Sequence, residues 1–173
     1  MPAGPSALDM LERLIAFDTT SRNSNLELIA FAREALEKAG ATTRLTYDAE
    51  NRKANLFATL GPRKDGGYVL SGHSDVVPVD GQDWASDPFR GEIRDGRFYG
   101  RGAADMKGFI AVALALVPEF AALDLKRPLH FALSFDEEVG CVGVRRLLAD
   151  LASANIRPAL AIIGEPTEMR VVA

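Results

Sequence analysis

Apolar residues recur at helical spacing in two segments near the start of the chain. In the first, which follows Ser6, they are Leu8, Leu11, Leu14 and Ile15. Residues three or four positions apart share one face of a helix, so this pattern predicts an amphipathic helix. The second segment covers residues 26–38 and is followed by Gly40, a residue type that commonly ends helices. We therefore expect two helices before the first strand.

Short runs of apolar and β-branched residues then predict strands. Residues 42–47 and 54–60 are two such runs, separated by a polar turn. Residues 68–72 form a short, largely apolar run that is typical of a buried parallel strand. This third strand places His73 directly at its end.

The second half of the chain alternates between helical and strand patterns. After a turn-rich loop with a predicted hairpin at 94–97, the elements are a nearly all-apolar helix at 106–120, a strand at 129–135, a helix at 144–151 and a strand at 159–163. Pro118 predicts a kink or an early stop in the first of these helices. This alternation is the order of a parallel sheet with right-handed crossovers. The predicted fold class is α/β, with a mostly parallel sheet flanked by helices.

Composition and charge exclude several classes of partner. A chain of 173 residues with 47% apolar and 25% charged residues is typical of one globular domain. The net charge is −4 and neither Lys nor Arg forms a run, so we expect no nucleic-acid partner. The longest apolar stretch is shorter than the roughly 20 residues that span a bilayer, and no signal-peptide pattern precedes it. We expect no membrane partner and a cytoplasmic location.

Acidic side chains and one imidazole follow the predicted strands or a glycine-rich loop. These residues are His73, Asp75, Asp105, Glu137, Glu138 and Glu165. Each alone has an ordinary explanation, such as a core histidine, a helix N-cap or a loop acid. Ligands in open α/β sheets bind outside the carboxyl ends of the strands, so their coincidence at these positions predicts one acidic pocket with one imidazole.

Such a pocket favours a bound metal ion. Clustered carboxylates raise one another's pKa unless a positive charge compensates them. Imidazole with carboxylate oxygen suits zinc, cobalt or manganese better than calcium or magnesium, and zinc is the default. The other histidine, His130, lies near the start of a strand, and we interpret it as structural. The lone cysteine, Cys141, is interpreted as a small packing residue that forms no intramolecular disulfide.

Four ordered motifs carry a family resemblance across nearly the whole chain. They are S-G-H-S-D at 71–75, G-R-G-A-A-D-M-K-G at 100–108, S-F-D-E-E-V-G at 134–140 and G-E-P-T at 164–167. The sequence resembles the di-zinc metallopeptidases and deacylases, a family that includes acetylornithine deacetylase, succinyl-diaminopimelate desuccinylase, aminoacylase and glutamate carboxypeptidase. The segments V-P-V-D-G-Q-D-W at 77–84 and D-E-E-V-G-C-V-G at 136–143 resemble the acetylornithine deacetylases most.

The resemblance implies a role for each site residue. His73 and Glu165 would bind one zinc ion, Asp105 would bridge two ions, and Glu138 would bind the second. Asp75 would hold the His73 imidazole in its tautomer. Glu137 would be the general base. A cis peptide bond is implied between Asp105 and Met106.

The resemblance also implies a larger protein. Family members are roughly twice as long, with an inserted domain for dimerisation and a returning half that supplies a histidine to the second zinc ion. Residues 1–173 would be the N-terminal part of a zinc-peptidase-like catalytic domain, inactive alone, from a protein that forms a homodimer. The complete protein would hydrolyse N-acetyl-L-ornithine to ornithine and acetate in arginine biosynthesis. The alternatives are a related N-acyl amino acid substrate, as for a desuccinylase, aminoacylase or carboxypeptidase, or a non-catalytic metal-binding or interaction fragment.

Overall fold

The first helix, α1 (Ala7–Ile15), begins at a reciprocal cap. The computed structural model describes residues 5–172. The Ser6 hydroxyl accepts the backbone N–H of Asp9, and the Asp9 carboxylate accepts the backbone N–H of Ser6, which satisfies two otherwise free donors. The buried face consists of Met10, Leu11, Leu14 and Ile15. Leu8, which the pattern assigned to this face, is 52% exposed.

The remaining elements follow the predicted order closely. The helices are α2 (Leu26–Lys38), α3 (Gly108–Ala115), α4 (Val117–Ala122) and α5 (Val142–Ser153). The strands are β1 (Thr42–Tyr47), β2 (Ala54–Leu60), β3 (Tyr68–His73), β4 (Glu92–Arg94), β5 (Arg97–Tyr99), β6 (Leu129–Ser134) and β7 (Leu160–Ile163). Strands β4 and β5 form the expected hairpin. No helix among residues 5–172 is both long enough and apolar enough to cross a membrane.

The main sheet has five strands in the order β1-β2-β6-β3-β7. Strand β3 is parallel to both β6 and β7, whereas β2 is antiparallel to both of its neighbours, β1 and β6. Every strand except β2 therefore points in the same direction, which confirms the prediction of a mostly parallel sheet. The carboxyl ends of β3, β6 and β7 meet at one edge of the sheet, where ligands bind in folds of this class.

Helices cover both faces of the sheet. Alternate residues of β6 point to opposite sides, so Phe131 and Leu133 join the larger core with α1, α2 and α3, while Ala132 joins a smaller core under α5. Helix α3 packs against α1 as well as the sheet, which explains why its sequence is apolar on nearly all sides. The strand ends that carry the candidate residues are thus held by two packed layers.

The helix predicted at 106–120 begins only at Gly108 and is broken at Leu116, so its predicted extent is wrong, whereas the interruption predicted from Pro118 is confirmed. Residues 103–107 form an irregular turn, and the peptide bond between Asp105 and Met106 is cis, as the resemblance implied. Helix α3 ends at Ala115, and a second helix, α4, begins after it. Pro118 lies in the first turn of α4, where a missing N–H removes no helical hydrogen bond.

Gly102 is required at the start of this irregular turn. Its φ is +82°, a left-handed conformation that L side chains rarely adopt. A Cβ there would also lie 2.6 Å from Cγ1 of Val76, so a larger residue would collide with a buried neighbour. The turn that delivers Asp105 therefore depends on glycine for both shape and space.

Strand β7 is exposed although its sequence is apolar. All its residues are exposed, with Leu160 at 51% and Ile163 at 64%. Within residues 5–172, β7 pairs with β3 and with no other strand. Apolar strands are normally buried when they belong to parallel sheets, so this edge of the sheet is incompletely covered.

Candidate metal centre

His73 is the last residue of β3 and is only 2% exposed. Its Nδ1 lies 2.9 Å from the backbone carbonyl oxygen of Asp75. A carbonyl can only accept, so Nδ1 carries a proton and donates it there. Nε2 is then the nitrogen that is free to bind a metal ion, and it faces the carboxylates of Asp105, Glu137 and Glu165.

Carboxylate oxygens from three other parts of the chain surround this nitrogen. The distances from His73 Nε2 are 3.0 Å to Oδ1 of Asp105, 3.8 Å to Oε1 of Glu165 and 3.9 Å to Oε2 of Glu137. Asp105 comes from the irregular turn, Glu137 follows β6 and Glu165 follows β7. Packing of the sheet therefore brings together residues that are far apart in sequence.

The donor atoms form two groups that could each hold a metal ion. One contains His73, Asp105 and Glu165, and the other contains His73, Glu137 and Glu138, with all donor atoms of a group within 4.8 Å of one another. The first group has the three residues assigned to the first zinc ion. Asp105 and Glu138, assigned to the second ion, line a shared cavity of about 230 Å³. His73 belongs to both groups.

Asp75 lies behind the donor groups rather than among them. Its carboxylate accepts the backbone N–H of Glu137 at 3.0 Å, the backbone N–H of Glu138 at 3.2 Å and the Ser21 hydroxyl at 2.7 Å. Its Oδ1 is 3.6 Å from His73 Nδ1, farther than a hydrogen bond. The main chain of Asp75 therefore orients the imidazole, while its side chain holds the loop with the two glutamates.

The electrostatics of the cluster show an excess of negative charge. Burial raises the pKa of Glu138 and of Glu165, and the nearby charge of Asp105 raises both further. Burial alone would lower the pKa of His73, but the adjoining carboxylates of Asp75 and Asp105 outweigh it and raise this pKa to about 9. Crowded carboxylates around an inward-facing imidazole nitrogen match the donor set of zinc, cobalt or manganese, so the residues present fit such an ion.

His130 has a structural environment at the opposite end of the sheet, as the sequence predicted. It is 4% exposed and stacks on Phe57 with ring centroids 5.0 Å apart. Its Nε2 is 3.2 Å from the carbonyl oxygen of Gly66, and its Nδ1 is 2.9 Å from the Thr59 hydroxyl. Burial lowers the pKa of His130, and the carbonyl of Gly66 offsets only part of this effect.

The two histidines should therefore titrate on opposite sides of neutrality in the metal-free protein. We expect the His73 imidazole to stay protonated at pH 8 and to lose its proton near pH 9, while His130 is already neutral at pH 7. Because the chain has only 2 histidines, long-range ¹⁵N–¹H NMR spectra resolve both. His73→Gln identifies the two signals. Two transitions that both fall near the ordinary value of about 6.5 would contradict the described environments.

Two residues near the site differ from what the sequence led us to expect: Lys107 was not identified, and Cys141 was interpreted wrongly. Lys107 is fully buried, and its ammonium donates to the Phe17 carbonyl at 2.7 Å. Burial lowers the pKa of Lys107 to about 7, although Asp18 and Asp75 offset part of the effect. Lys107 belongs to the glycine-rich motif at 100–108, which marked this region as a candidate site. The motif does not indicate that the Lys107 side chain is buried.

The interpretation of Cys141 as a packing side chain is wrong. The residue is exposed, and its Sγ lies 3.3 Å from Oε1 of Glu137. Its φ of 54° places it in the left-handed region immediately before α5. The hydrogen bond with Glu137 raises the pKa of the Cys141 thiol, and the negative charge of Glu137 adds to this.

Comparison with known proteins identifies the family. Residues 69–172 match the family model "Peptidase family M20/M25/M40". An acetylornithine deacetylase from Pasteurella multocida is 38% identical over 97% of this chain and 45% of its own length. An acetylornithine deacetylase from Myxococcus xanthus is 42% identical over 95% of this chain and 43% of its own. The chain thus spans less than half the length of these curated relatives.

Solved structures give the same fold. Human carnosine dipeptidase 1 is 27% identical, with a TM-score of 0.70 over 84% of this chain and 35% of that protein. An M20 family metallo-carboxypeptidase from Sulfolobus solfataricus reaches a TM-score of 0.79 over 92% of this chain and 37% of its own, at 21% identity. The family model covers well over half of the chain, and the fold agrees with it. The chain belongs to peptidase family M20/M25/M40, a family of metal-dependent hydrolases.

Proposed function

We propose that this chain is the metal-binding, N-terminal part of a catalytic domain that hydrolyses the amide bond of an N-acyl amino acid. The best candidate substrate is N-acetyl-L-ornithine, which would give L-ornithine and acetate, a step of arginine biosynthesis. The observation that carries the proposal is the convergence of His73 Nε2 with the carboxylates of Asp105 and Glu165 in a member of this family. The relatives at 38% and 42% identity are named acetylornithine deacetylases, which supports this substrate.

The proposed ligands are divided between two zinc ions, with cobalt or manganese as possible replacements. His73, Asp105 and Glu165 would hold the first ion, and Asp105 and Glu138 would hold part of the second. When bound, the ions would make a water molecule more acidic and stabilise negative charge on the substrate carbonyl oxygen. The imidazole contributes Nε2 because the Asp75 carbonyl occupies Nδ1.

Glu137 is the proposed general base. Its carboxylate lies beside the donor groups, with Oε2 3.9 Å from His73 Nε2, and its side chain is 35% exposed. It can therefore accept a proton from water entering the pocket and later donate that proton to the leaving amine. Asp75 fixes the backbone of Glu137 through the hydrogen bond to its N–H, which limits where the carboxylate can point.

The exposed edge at β7 supports the proposal that further protein completes the domain. Apolar side chains such as Leu160 and Ile163 would be covered by a returning half of the catalytic domain. That half would also supply a histidine to the second ion, and an inserted domain would make the complete protein a homodimer. The complete protein is proposed to act in the cytoplasm on a small-molecule substrate.

The nearest alternative changes the acyl group and keeps the chemistry, as in a succinyl-diaminopimelate desuccinylase, an aminoacylase or a carboxypeptidase. The assay that decides between them compares N-acetyl-L-ornithine with N-succinyl-diaminopimelate for the zinc-loaded protein at the full length of its relatives. We expect kcat/KM to favour the acetyl substrate by a factor of roughly 10². A preference for the succinyl substrate would indicate a desuccinylase. If neither substrate is hydrolysed, the result would favour a non-catalytic metal-binding protein.

A further inference from the structure

A short segment before α2 runs alongside the chain that follows His73. Residues 17–21 pair with residues 74–76: the N–H of Ser21 donates to the Val76 carbonyl, and the N–H of Val76 donates to the Thr19 carbonyl, both at 3.1 Å. The Thr19 hydroxyl donates to the Ser74 carbonyl at 2.6 Å. The piece of chain just beyond the imidazole is therefore held on one side by the N-terminal segment.

One end of this segment reaches the Asp75 carboxylate. The Ser21 hydroxyl donates to Oδ2 of Asp75 at 2.7 Å, and both residues are buried. The same carboxylate accepts the backbone N–H groups of Glu137 and Glu138. Ser21 thus contacts the Asp75 carboxylate, which joins the chain after His73 to the loop that carries the two glutamates.

The other end of the segment reaches the turn that carries Asp105. The Lys107 ammonium donates to the Phe17 carbonyl at 2.7 Å, and the Lys107 side chain is completely buried. Its aliphatic part runs beside Gly102, where an added Cβ would lie 3.3 Å from Cδ of Lys107. Lys107 and Asp105 belong to the same irregular turn, so the segment touches two of the three pieces of chain that supply the first donor group, those of His73 and Asp105.

We propose that residues 17–21 form a clamp that sets the position of His73 relative to Asp105. The positioning residues are Ser21 in the clamp and Lys107, which binds the clamp at the Phe17 carbonyl. This inference rests on the proposed metal site. A ligand pair supplied by separate loops binds an ion tightly only when the loops are fixed, because the free energy of ordering them otherwise opposes binding. Neither Ser21 nor Lys107 is a metal ligand, so each acts through a neighbour: Ser21 through Asp75, and Lys107 through the Phe17 carbonyl and its own turn.

The test measures the zinc dissociation constant of the 173-residue chain by competition with a chromogenic chelator. Ser21→Ala and Lys107→Met are each expected to weaken zinc binding by roughly tenfold, the scale found for residues that orient ligands. Ser24→Ala is the matched control, since Ser24 is an exposed serine that donates to the Arg52 carbonyl outside the clamp. It should leave the constant unchanged. Cobalt absorption spectra should shift for the two clamp variants and not for the control.

A double-mutant cycle separates positioning from general stability. If Ser21 acts through Asp75, Ser21→Ala should have no further effect on zinc affinity in an Asp75→Ala background. Ser21→Thr, which keeps the hydroxyl, should restore most of the affinity. Denaturant unfolding shows whether each variant folds. If Lys107→Met does not fold, the double-mutant cycle of Ser21 and Asp75 tests the clamp instead.

The outcomes distinguish the clamp from the metal site on which it rests. Zinc binding by the unaltered chain with unchanged constants in Ser21→Ala and Lys107→Met would overturn the clamp and leave the proposed function standing. An undiminished effect of Ser21→Ala in the Asp75→Ala background would also overturn it. An unaltered, folded chain that binds neither zinc nor cobalt would overturn the metal site and the clamp together.

Discussion

Replacing Glu137 by glutamine is expected to lower kcat of the complete, zinc-loaded protein by about 10²–10⁴-fold, the usual contribution of a general base. The amide has nearly the same shape as the carboxylate, but it cannot take a proton from water. Glu137 belongs to one of the two groups that could hold an ion, but it is proposed as the general base and not as a zinc ligand. The metal content measured by mass spectrometry should therefore remain that of the unaltered protein.

Glu138→Gln is the matched control, because it makes the same chemical change one residue later. Glu138 shares a cavity with Asp105, and burial and the charge of Asp105 raise its pKa, so a cation in that cavity would stabilise its charged form. This variant should lose part of its metal, and added zinc should restore part of its activity. Equal loss of metal in the two variants, or full activity of Glu137→Gln, would refute these separate roles.

The 173-residue chain alone is expected to bind one zinc ion tightly and to show no deacetylase activity. The two donor groups share His73, and that imidazole has one free nitrogen because the Asp75 carbonyl occupies Nδ1. A single imidazole nitrogen cannot be the nitrogen ligand of two ions. Three protein ligands suffice for one catalytic-type zinc, and His73, Asp105 and Glu165 provide them.

Because the 173-residue chain lacks a tightly bound second ion, it should also lack activity. Removing one stabiliser of developing oxyanion charge commonly costs about 10²–10³ in kcat, and missing substrate contacts would lower the rate further. Calorimetry gives the zinc stoichiometry, and an assay for ornithine release gives the turnover. Two tightly bound ions with turnover close to that of a full-length relative would show that this chain suffices and that the proposed division of the domain is wrong.

The elements set by local sequence were predicted well. Helix α2 has the predicted bounds because its apolar spacing is regular and Gly40 follows it. The β4–β5 hairpin turns at Asp95 and Gly96, both with positive φ, as the Asp-Gly pair indicated. The convergence of His73, Glu137 and Glu165 could also be predicted, because parallel strands deliver whatever follows them to one edge. Their roles in metal binding stay a prediction.

Features that depend on distant contacts could not be predicted. The irregular turn at 103–107 stands where the helix was expected to begin, and its Lys107 contacts the Phe17 carbonyl, 90 residues away in sequence. Ser21 lies 54 residues from Asp75, and nothing in its local sequence marks it as a partner of a buried carboxylate. The position of β6 between β2 and β3 likewise depends on pairings that local patterns do not encode.

The proposed ligands come from separate structural units, with His73 and Asp105 already 32 residues apart in sequence. Glu138 follows β6 and Glu165 follows β7, so the donor atoms meet only after the strands have assembled. Zinc affinity is therefore a measure of tertiary folding, and a peptide containing any single motif should not reproduce it. The same linkage acts in reverse, since zinc at 100 times its dissociation constant stabilises the whole sheet by about 2.7 kcal/mol. A chelator should accordingly lower the unfolding temperature of strands that contribute no ligand.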